Sequence, residues 1–422
     1  MINKEMYLQQ NLFSKVDKLP SRDGYGKGLV FLGEKNKNVV VLCCDLTDST
    51  RSLWFKQKFP ERFIQVGVAE QNMAVVASGL ANYGKIPFIS SYAMFSPGRN
   101  WEQIRTTIGY NNVSVKIAGA HAGISVGPDG ATHQAIEDIA IMRPIANMTI
   151  ICPCDAIEAE KATIAATEIN GPVYLRFGRE KIPVITTEKT PFVIGKAEIL
   201  REGKDATIIS CGVMVYESII AAEELAKENI DVRVINCHTI KPLDRETIIL
   251  AARETGCLVT AEEHQIMGGL GSAVSEVVSE IYPVPIKRVG VQNRYGESGE
   301  MNELMAAFGL TSKEIILAVK ESYKLKNKNF NQDINISVLL KDCSSEKVFH
   351  TSTGLVLRNV IQLFNELKDM NEKTVSEHVT SKKNDFAKWI QDVFGDFWLA
   401  KALELAKTKE EMLLVLKLRL GQ

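Results

Sequence analysis

Glu70, His121 and His133 are the residues of this chain best placed to hold and pass protons. Glu70 follows a run at 63–68 that reads as a short buried strand. It opens an apolar helix carrying Met73, Val75, Val76, Ala77 and Leu80. A Glu at such a junction is poorly solvated, which favours its neutral form and suits an acid that transfers a proton. The same position also fits a plain carboxylate at a helix N-terminus, favoured by the dipole. His121, Asp129 and His133 share one Gly-rich loop, 119–134, that leads into a helix. An imidazole titrating near about 6.5 exchanges protons at neutral pH, although each His also fits a satisfied structural role. Gly268-Gly269-Leu270-Gly271-Ser272 opens another helix. It suits either an anion at the helix N-terminus or a close helix–strand approach, and it lacks the strand context and ribose-binding acid of a dinucleotide site. Cys152-Pro153-Cys154 has no second pair and no nearby His, so it makes a poor zinc site.

The elements that must position these groups alternate. Strand-like runs at 39–44, 63–68, 86–90, 113–118, 149–152 and 173–175 are separated by helix-like ones. These include 101–110, a helix after His133 and one from Asp155. Such alternation gives parallel sheets covered by helices, with ligand loops beyond the carboxyl ends of the strands. Glu70, Tyr92, His121 and His133 all follow strands. A Pro/Thr-containing connection at 182–191 leads to a second alternating unit, with strands at 206–210, 232–236, 257–261 and 285–291. Residues 324–329 read as a polar linker and 334–340 as a strand. From Val356 the period is helical to the end. One apolar stripe holds Val356, Val360, Ile361, Phe364 and Leu367. A second holds Phe386, Trp389, Ile390, Val393 and Phe394, with Gly395 as C-cap, and Met412, Leu413, Val415 and Leu416 mark a last helix. The expected class is therefore α/β: two consecutive parallel-sheet α/β domains at 1–185 and 190–323, a linker at 324–345 and a small, mainly α domain at 346–422.

At 422 residues the chain is long enough for this division. A net charge of −1 argues against nucleic acid or a membrane surface as partner. No apolar run nears the roughly 20 residues that span a bilayer, and the first residues lack a secretory h-region, so a cytoplasmic location is expected. Cys43, Cys44, Cys152, Cys211, Cys237 and Cys257 lie in apolar strands, as reduced core thiols do.

From Phe59-Pro60-Glu61-Arg62-Phe63 to Gly178-Arg179-Glu180 the chain resembles the pyrimidine-binding domain of a transketolase. The carriers are Val66-Gly67-Val68-Ala69-Glu70-Gln71-Asn72-Met73 and the loop from Gly119-Ala120-His121 to Thr132-His133-Gln134. The resemblance continues over 206–321 as the transketolase C-terminal domain. The family's Gly-Asp-Gly motif and following Asn, which give Mg2+ its oxygen ligands, have no counterpart. Gly127-Pro128-Asp129-Gly130 lies in the wrong loop, and Gly395-Asp396 is followed by Phe397. The resemblance thus implies the C-terminal half of a split transketolase. Thiamine diphosphate and Mg2+ would be its cofactors, with the diphosphate and metal held mainly by a separate N-terminal diphosphate-binding subunit.

By the same resemblance Glu70 bonds the cofactor's pyrimidine nitrogen, while Tyr92 and Phe95 clamp that ring. Gly98 stands where some members carry a third aromatic. His121, Asp129 and His133 contact the sugar, the two His moving protons, and Arg22, Ser49 and Arg179 bind its phosphate. His264, after Glu262-Glu263, is expected to be structural or interfacial. The end of the chain resembles a helical domain of unknown function (DUF5752 type), for which a dimerisation or docking role is the default. The implied activity is transfer of a two-carbon ketol unit between sugar phosphates by an assembly of two copies of each chain. A 1-deoxyxylulose-5-phosphate synthase, a 2-oxoacid dehydrogenase beta chain or a non-catalytic scaffold subunit remain open at this point.

Overall fold

The alternating apolar runs become strands that are buried on both faces, as parallel sheets under helices require. The computed structural model describes residues 1–332, 336–380, 383–406 and 408–420. Met1–Lys326 forms one unit and Asn327–Gln422 a second. In the first unit the strands, in chain order, are β1 (Lys18–Pro20), β2 (Val39–Cys43), β3 (Phe63–Gln65), β4 (Ile86–Tyr92) and β5 (Lys116–Ala120). They continue with β6 (Thr149–Ile151), β7 (Val173–Arg176), β8 (Lys181–Pro183), β9 (Glu198–Arg201) and β10 (Ala206–Ser210). Last come β11 (Val232–Asn236), β12 (Thr239–Lys241), β13 (Leu258–Gln265) and β14 (Ile286–Val291).

Seven strands form one sheet in the order β12-β6-β7-β5-β4-β2-β3, and five form a second, β14-β13-β10-β11-β9. Pairing is parallel except at one edge of each sheet, where β12 and β9 run antiparallel to their neighbours. The two-domain α/β architecture expected from the sequence is present. One detail departs from it: β12 follows β11 of the second sheet after only Cys237 and His238, yet it completes the first sheet. The two layers also share a core in which Val40, Leu42 and Ile89 join Ile209, Ile235 and Leu258. Each such buried aliphatic side chain contributes about 1.5–3 kcal/mol.

The helix Ser21–Lys35 carries four interior glycines, Gly24, Gly26, Gly28 and Gly33. Each weakens an isolated helix by about 1 kcal/mol, so close packing must offset them. It does: a Cβ at Gly24 would lie 1.9 Å from the Ala156 carbonyl oxygen, so the helix lies directly on Ala156–Ala165. That contact fixes Arg22, one residue into the helix.

Several local expectations are corrected. The run at 63–68 yields only β3, a half-exposed edge strand. Residues 324–329 are helical within Ser312–Gln332 rather than a linker; Lys326 Nζ donates to the carbonyls of Asp205 (3.1 Å) and Thr255 (2.8 Å) and anchors that turn. Ile336–Leu340 is helical rather than a strand, because a short apolar run does not fix its own period; residues 334 and 335 lie outside the described residues.

The second unit is small and mainly helical. A two-stranded ribbon, Phe349–His350 with Val356–Leu357, precedes the helix Val360–Asp369, so Val356 is not helical. Val360, Phe364, Leu367, Phe386, Trp389, Ile390, Met412 and Leu416 share its core. Gly395 ends its helix in the left-handed region at φ 70°, as its C-cap position predicts. No described helix is long and apolar enough to cross a membrane.

Candidate active site

Glu70 is the first residue of the helix Glu70–Asn82 and is 1 % exposed. Its two oxygens have separate partners. Ser91 Oγ, at the end of β4, donates to Oε1 at 3.1 Å, and Arg99 Nη1 donates to Oε2 at 2.8 Å. Asn100 Nδ2 donates to the Glu70 carbonyl at 3.1 Å, tying the loop after β4 to the helix start. The sequence suggested a poorly solvated acid, and the structure adds a guanidinium beside it. Arg99 also lies over the Phe95 ring, 4.7 Å from its centre.

β4 ends at Tyr92 and β5 at Ala120, adjacent parallel strands, so the residues that follow them meet. The Tyr92 ring stacks on His121 (centroids 3.9 Å apart, 20° between planes) and on Phe95 (6.1 Å, 18°). His133 meets the edge of Phe95 at 5.5 Å, and its Nδ1 shares a hydrogen bond of 2.9 Å with Thr132 Oγ1. His121 takes a left-handed backbone, φ 54°, which turns the chain sharply at the end of β5. Such a conformation in a residue other than glycine costs roughly 1–3 kcal/mol and clusters at functional sites.

His121 departs from the sequence-based expectation of proton exchange at neutral pH. Burial and the positive charges of Arg22, Arg179 and Arg51 push its pKa down to about 3, so the ring is neutral at pH 7. Its Nδ1 is buried without a hydrogen-bond partner.

The loop carrying His121 and His133 is braced from the second sheet. Glu263 of β13 accepts a hydrogen bond from Ser125 N–H at 2.5 Å, and a Cβ at Gly123 (φ 90°) would strike that carboxylate. Gln134 Nε2 donates to the carbonyls of Ile124, Gly127 and Glu297. His264 is fully buried and accepts from Ala140 N–H at 3.3 Å, a bond between the two sheet layers. The carboxylate of Glu262 accepts from Leu270 and Gly271 N–H (2.7 and 2.8 Å) and so fills the anion position of the glycine cluster with the chain's own charge.

The three expected phosphate-binding residues gather beside this loop. Arg22 Nη1 donates to the Ser49 carbonyl at 2.9 Å, and its Nε is buried without a partner. Arg179 Nη1 donates to Asp129 Oδ1 at 3.2 Å and to the Val126 carbonyl at 3.1 Å. Arg22, Arg51 and Arg179 line a cavity of about 570 Å³ with Lys18 and Lys181. Asp23, Glu180 and Glu300 line it too, and Asp23 pairs with Arg51 at 2.7 Å; desolvation and Arg51 still disfavour the charge on Arg22, which Asp23 favours. The cavity does not extend to Glu70 or the aromatic array.

The sequence-predicted site residues thus lie in the loops after β2, β4, β5 and β7 or at the start of the helices Ser21–Lys35 and Glu70–Asn82, except Tyr92, which ends β4. Ser49 meets Arg22 through its backbone carbonyl rather than its hydroxyl. Arg51, Arg99, Ser91 and Glu263 were not anticipated. Arg51 and Arg99 are the cations nearest two strand-end loops, a signal present in the sequence, whereas Glu263 acts across sheets and has no local one.

The family model for the transketolase pyrimidine-binding domain matches residues 17–184, and that for the transketolase C-terminal domain matches 195–315. A putative transketolase C-terminal section from Methanocaldococcus jannaschii is 44 % identical over 306 residues, 72 % of this chain and 96 % of that protein. The 6-deoxy-6-sulfo-D-fructose transketolase subunit SqwH of a Clostridium species is 42 % identical over 306 residues, 72 % and 95 %. Among solved structures, a split-gene transketolase described as an inactive beta4 tetramer superposes with a TM-score of 0.69 at 46 % identity, covering 73 % of this chain and 99 % of that one.

Proposed function

The chain belongs to the transketolase family, and from that premise we propose that it is the subunit of a two-chain, thiamine-diphosphate-dependent transketolase that holds the pyrimidine of the cofactor and the sugar. The observation that carries this reading is the arrangement of Glu70, Arg99 and Phe95. A planar hydrogen-bond donor, the Arg99 guanidinium, lies against the buried carboxylate and over the Phe95 ring, so acceptor and aromatic face stand side by side as an aminopyrimidine needs them. The residues therefore fit that group.

Bound thiamine diphosphate supplies the carbanion that breaks and forms the carbon–carbon bond beside a ketose carbonyl. Glu70 holds a proton at the pyrimidine nitrogen, with Ser91 fixing its other oxygen. Tyr92 and Phe95 supply the apolar clamp. His133 takes and returns a sugar hydroxyl proton, and His121, neutral in this chain, orients the sugar by hydrogen bonding. Arg22 and Arg179, with Ser49, receive the substrate phosphate, and Asp129 orders Arg179 and contacts the sugar. In this reading Mg2+ and the diphosphate belong mainly to a separate subunit, the two chains assemble with self-association, and the substrates are sugar phosphates.

The named relatives are transketolase chains, so a 2-oxoacid donor and a purely structural subunit are not favoured. Donor profiling tests the choice. Ketol transfer from a ketose phosphate by the assembled enzyme supports the proposal, and condensation from pyruvate alone contradicts it.

A further inference from the structure

Away from Glu70, three metal-binding side chains converge between the helix Ala156–Ala165, β9 and the turn from β11 to β12. Glu158, Glu198 and His238 are all buried, and one ligand atom from each lies within 4.8 Å of the others. His238 is 0 % exposed. Its Nε2 lies 3.3 Å from Glu198 Oε1, yet neither atom has a hydrogen-bond partner. We propose that Glu158, Glu198 and His238 form a buried structural site for a divalent transition-metal ion of the zinc class.

The geometry argues for an ion rather than a direct contact. Ligands about 2.0–2.1 Å from a tetrahedral ion stand roughly 3.3–3.5 Å apart, the separation of these two unsatisfied atoms. The supporting shell is already built. His238 Nδ1 is engaged by Thr239 Oγ1 at 2.9 Å, which orients Nε2 inward, and Phe192 stacks on the ring at 4.3 Å. Asn236 Nδ2 donates to Glu158 Oε1 (2.7 Å) and Glu198 Oε2 (3.0 Å), while Cys154 N–H donates to Glu158 Oε2 at 2.5 Å. Asp155 is not a further ligand, because each of its oxygens already accepts two hydrogen bonds, from Glu158 N–H and Thr186 Oγ1 and from Ile185 and Thr186 N–H, whereas each Glu158 oxygen accepts one.

Charge points the same way. Among the described residues, Glu158, Glu198 and Asp155 are three buried carboxylates facing a single cation, Lys161, whose ammonium donates to the carbonyls of Thr187 and Thr190, so a divalent ion would offset the excess negative charge. The nitrogen donor and the small oxygen set suit zinc-class ions over Mg2+ or Ca2+, which prefer six or more oxygens. Such an ion would join three segments of distant sequence where β12 crosses between the sheets.

The test is metal binding by the tag-free full chain, stripped with chelator and titrated with Zn2+ or Co2+. One equivalent bound, visible Co2+ absorption bands and a Tm raised by several degrees are expected, with no such response to Mg2+. His238→Phe and the near-isosteric Glu198→Gln should each lose the stoichiometric binding, and the second guards against a folding defect in the first. A folded, stripped wild-type chain that takes up neither ion overturns the proposal, leaving a proton-sharing cluster. Unchanged stoichiometry in a folded variant overturns it equally.

Discussion

Arg99 Nη1 donates to Glu70 Oε2 at 2.8 Å while its guanidinium lies 4.7 Å above the centre of the Phe95 ring. The partners differ in exposure: the Glu70 side chain is 1 % exposed and that of Arg99 46 %. The carboxylate is thus fixed by the fold, whereas the cation reaches it from a solvated side.

Glu70→Gln keeps the shape of the side chain and removes its charge. In the assembled enzyme kcat should fall by about 10²–10⁴-fold, the usual worth of a positioned acid or base. Because Glu70 is buried and Arg99 half exposed, the loss of the charge-assisted hydrogen bond should cost about 1–3 kcal/mol of stability. Steady-state assay beside thermal unfolding separates the two effects. A variant within twofold of wild-type kcat contradicts the role given to Glu70.

Tyr92→Ala removes the ring stacked between Phe95 and His121. Aromatic stacking worth about 0.5–1.5 kcal/mol corresponds to a roughly 2- to 12-fold rise in the Kd for thiamine diphosphate. Calorimetric titration of the assembled enzyme measures it, and an unchanged Kd removes Tyr92 from the clamp.

Arg179→Ala should raise KM for a phosphorylated acceptor by about 10- to 100-fold, the scale of a lost charge-assisted hydrogen bond. An unphosphorylated acceptor should be little affected. Asp129, exposed at the surface, tolerates the loss of its partner. Equal effects on both acceptors argue against a phosphate contact.

His121 predicts a pH dependence of stability. Its folded pKa, about 3, lies below the ordinary 6.5, so between those values the unfolded chain binds a proton that the folded chain refuses. Stability therefore falls as pH drops from about 6.5 towards 3. His121→Asn should make that decline shallower in acid unfolding curves, and NMR should show the native ring neutral from pH 5 to 8. A native ring titrating near its ordinary value contradicts the burial argument.

The parallel sheets and the strand-end loops were legible because Val39–Cys43 and Ala206–Ser210 carry their own apolar signal, and because Glu70 and His121 follow strands and Tyr92 ends one. Edge elements were not. β9 and β12 are short and antiparallel, and β12 depends on a partner from the other sheet. The polar run at 324–329 concealed a helix whose lysine is anchored by two distant carbonyls. At the site, residue types gave the groups but not their electrostatics. His121 is held neutral first by burial and then by three arginines spread between positions 22 and 179, and Glu70 owes its cation to Arg99, 29 positions away.

The central claim is that this chain completes an active site only with a diphosphate-binding partner. Ketol transfer from a ketose phosphate, dependent on thiamine diphosphate and Mg2+, should be measured for each chain alone and for the co-expressed pair. The account predicts activity in the pair and none in either chain by itself. Full activity from this chain alone, or none from a stably formed complex, would contradict it.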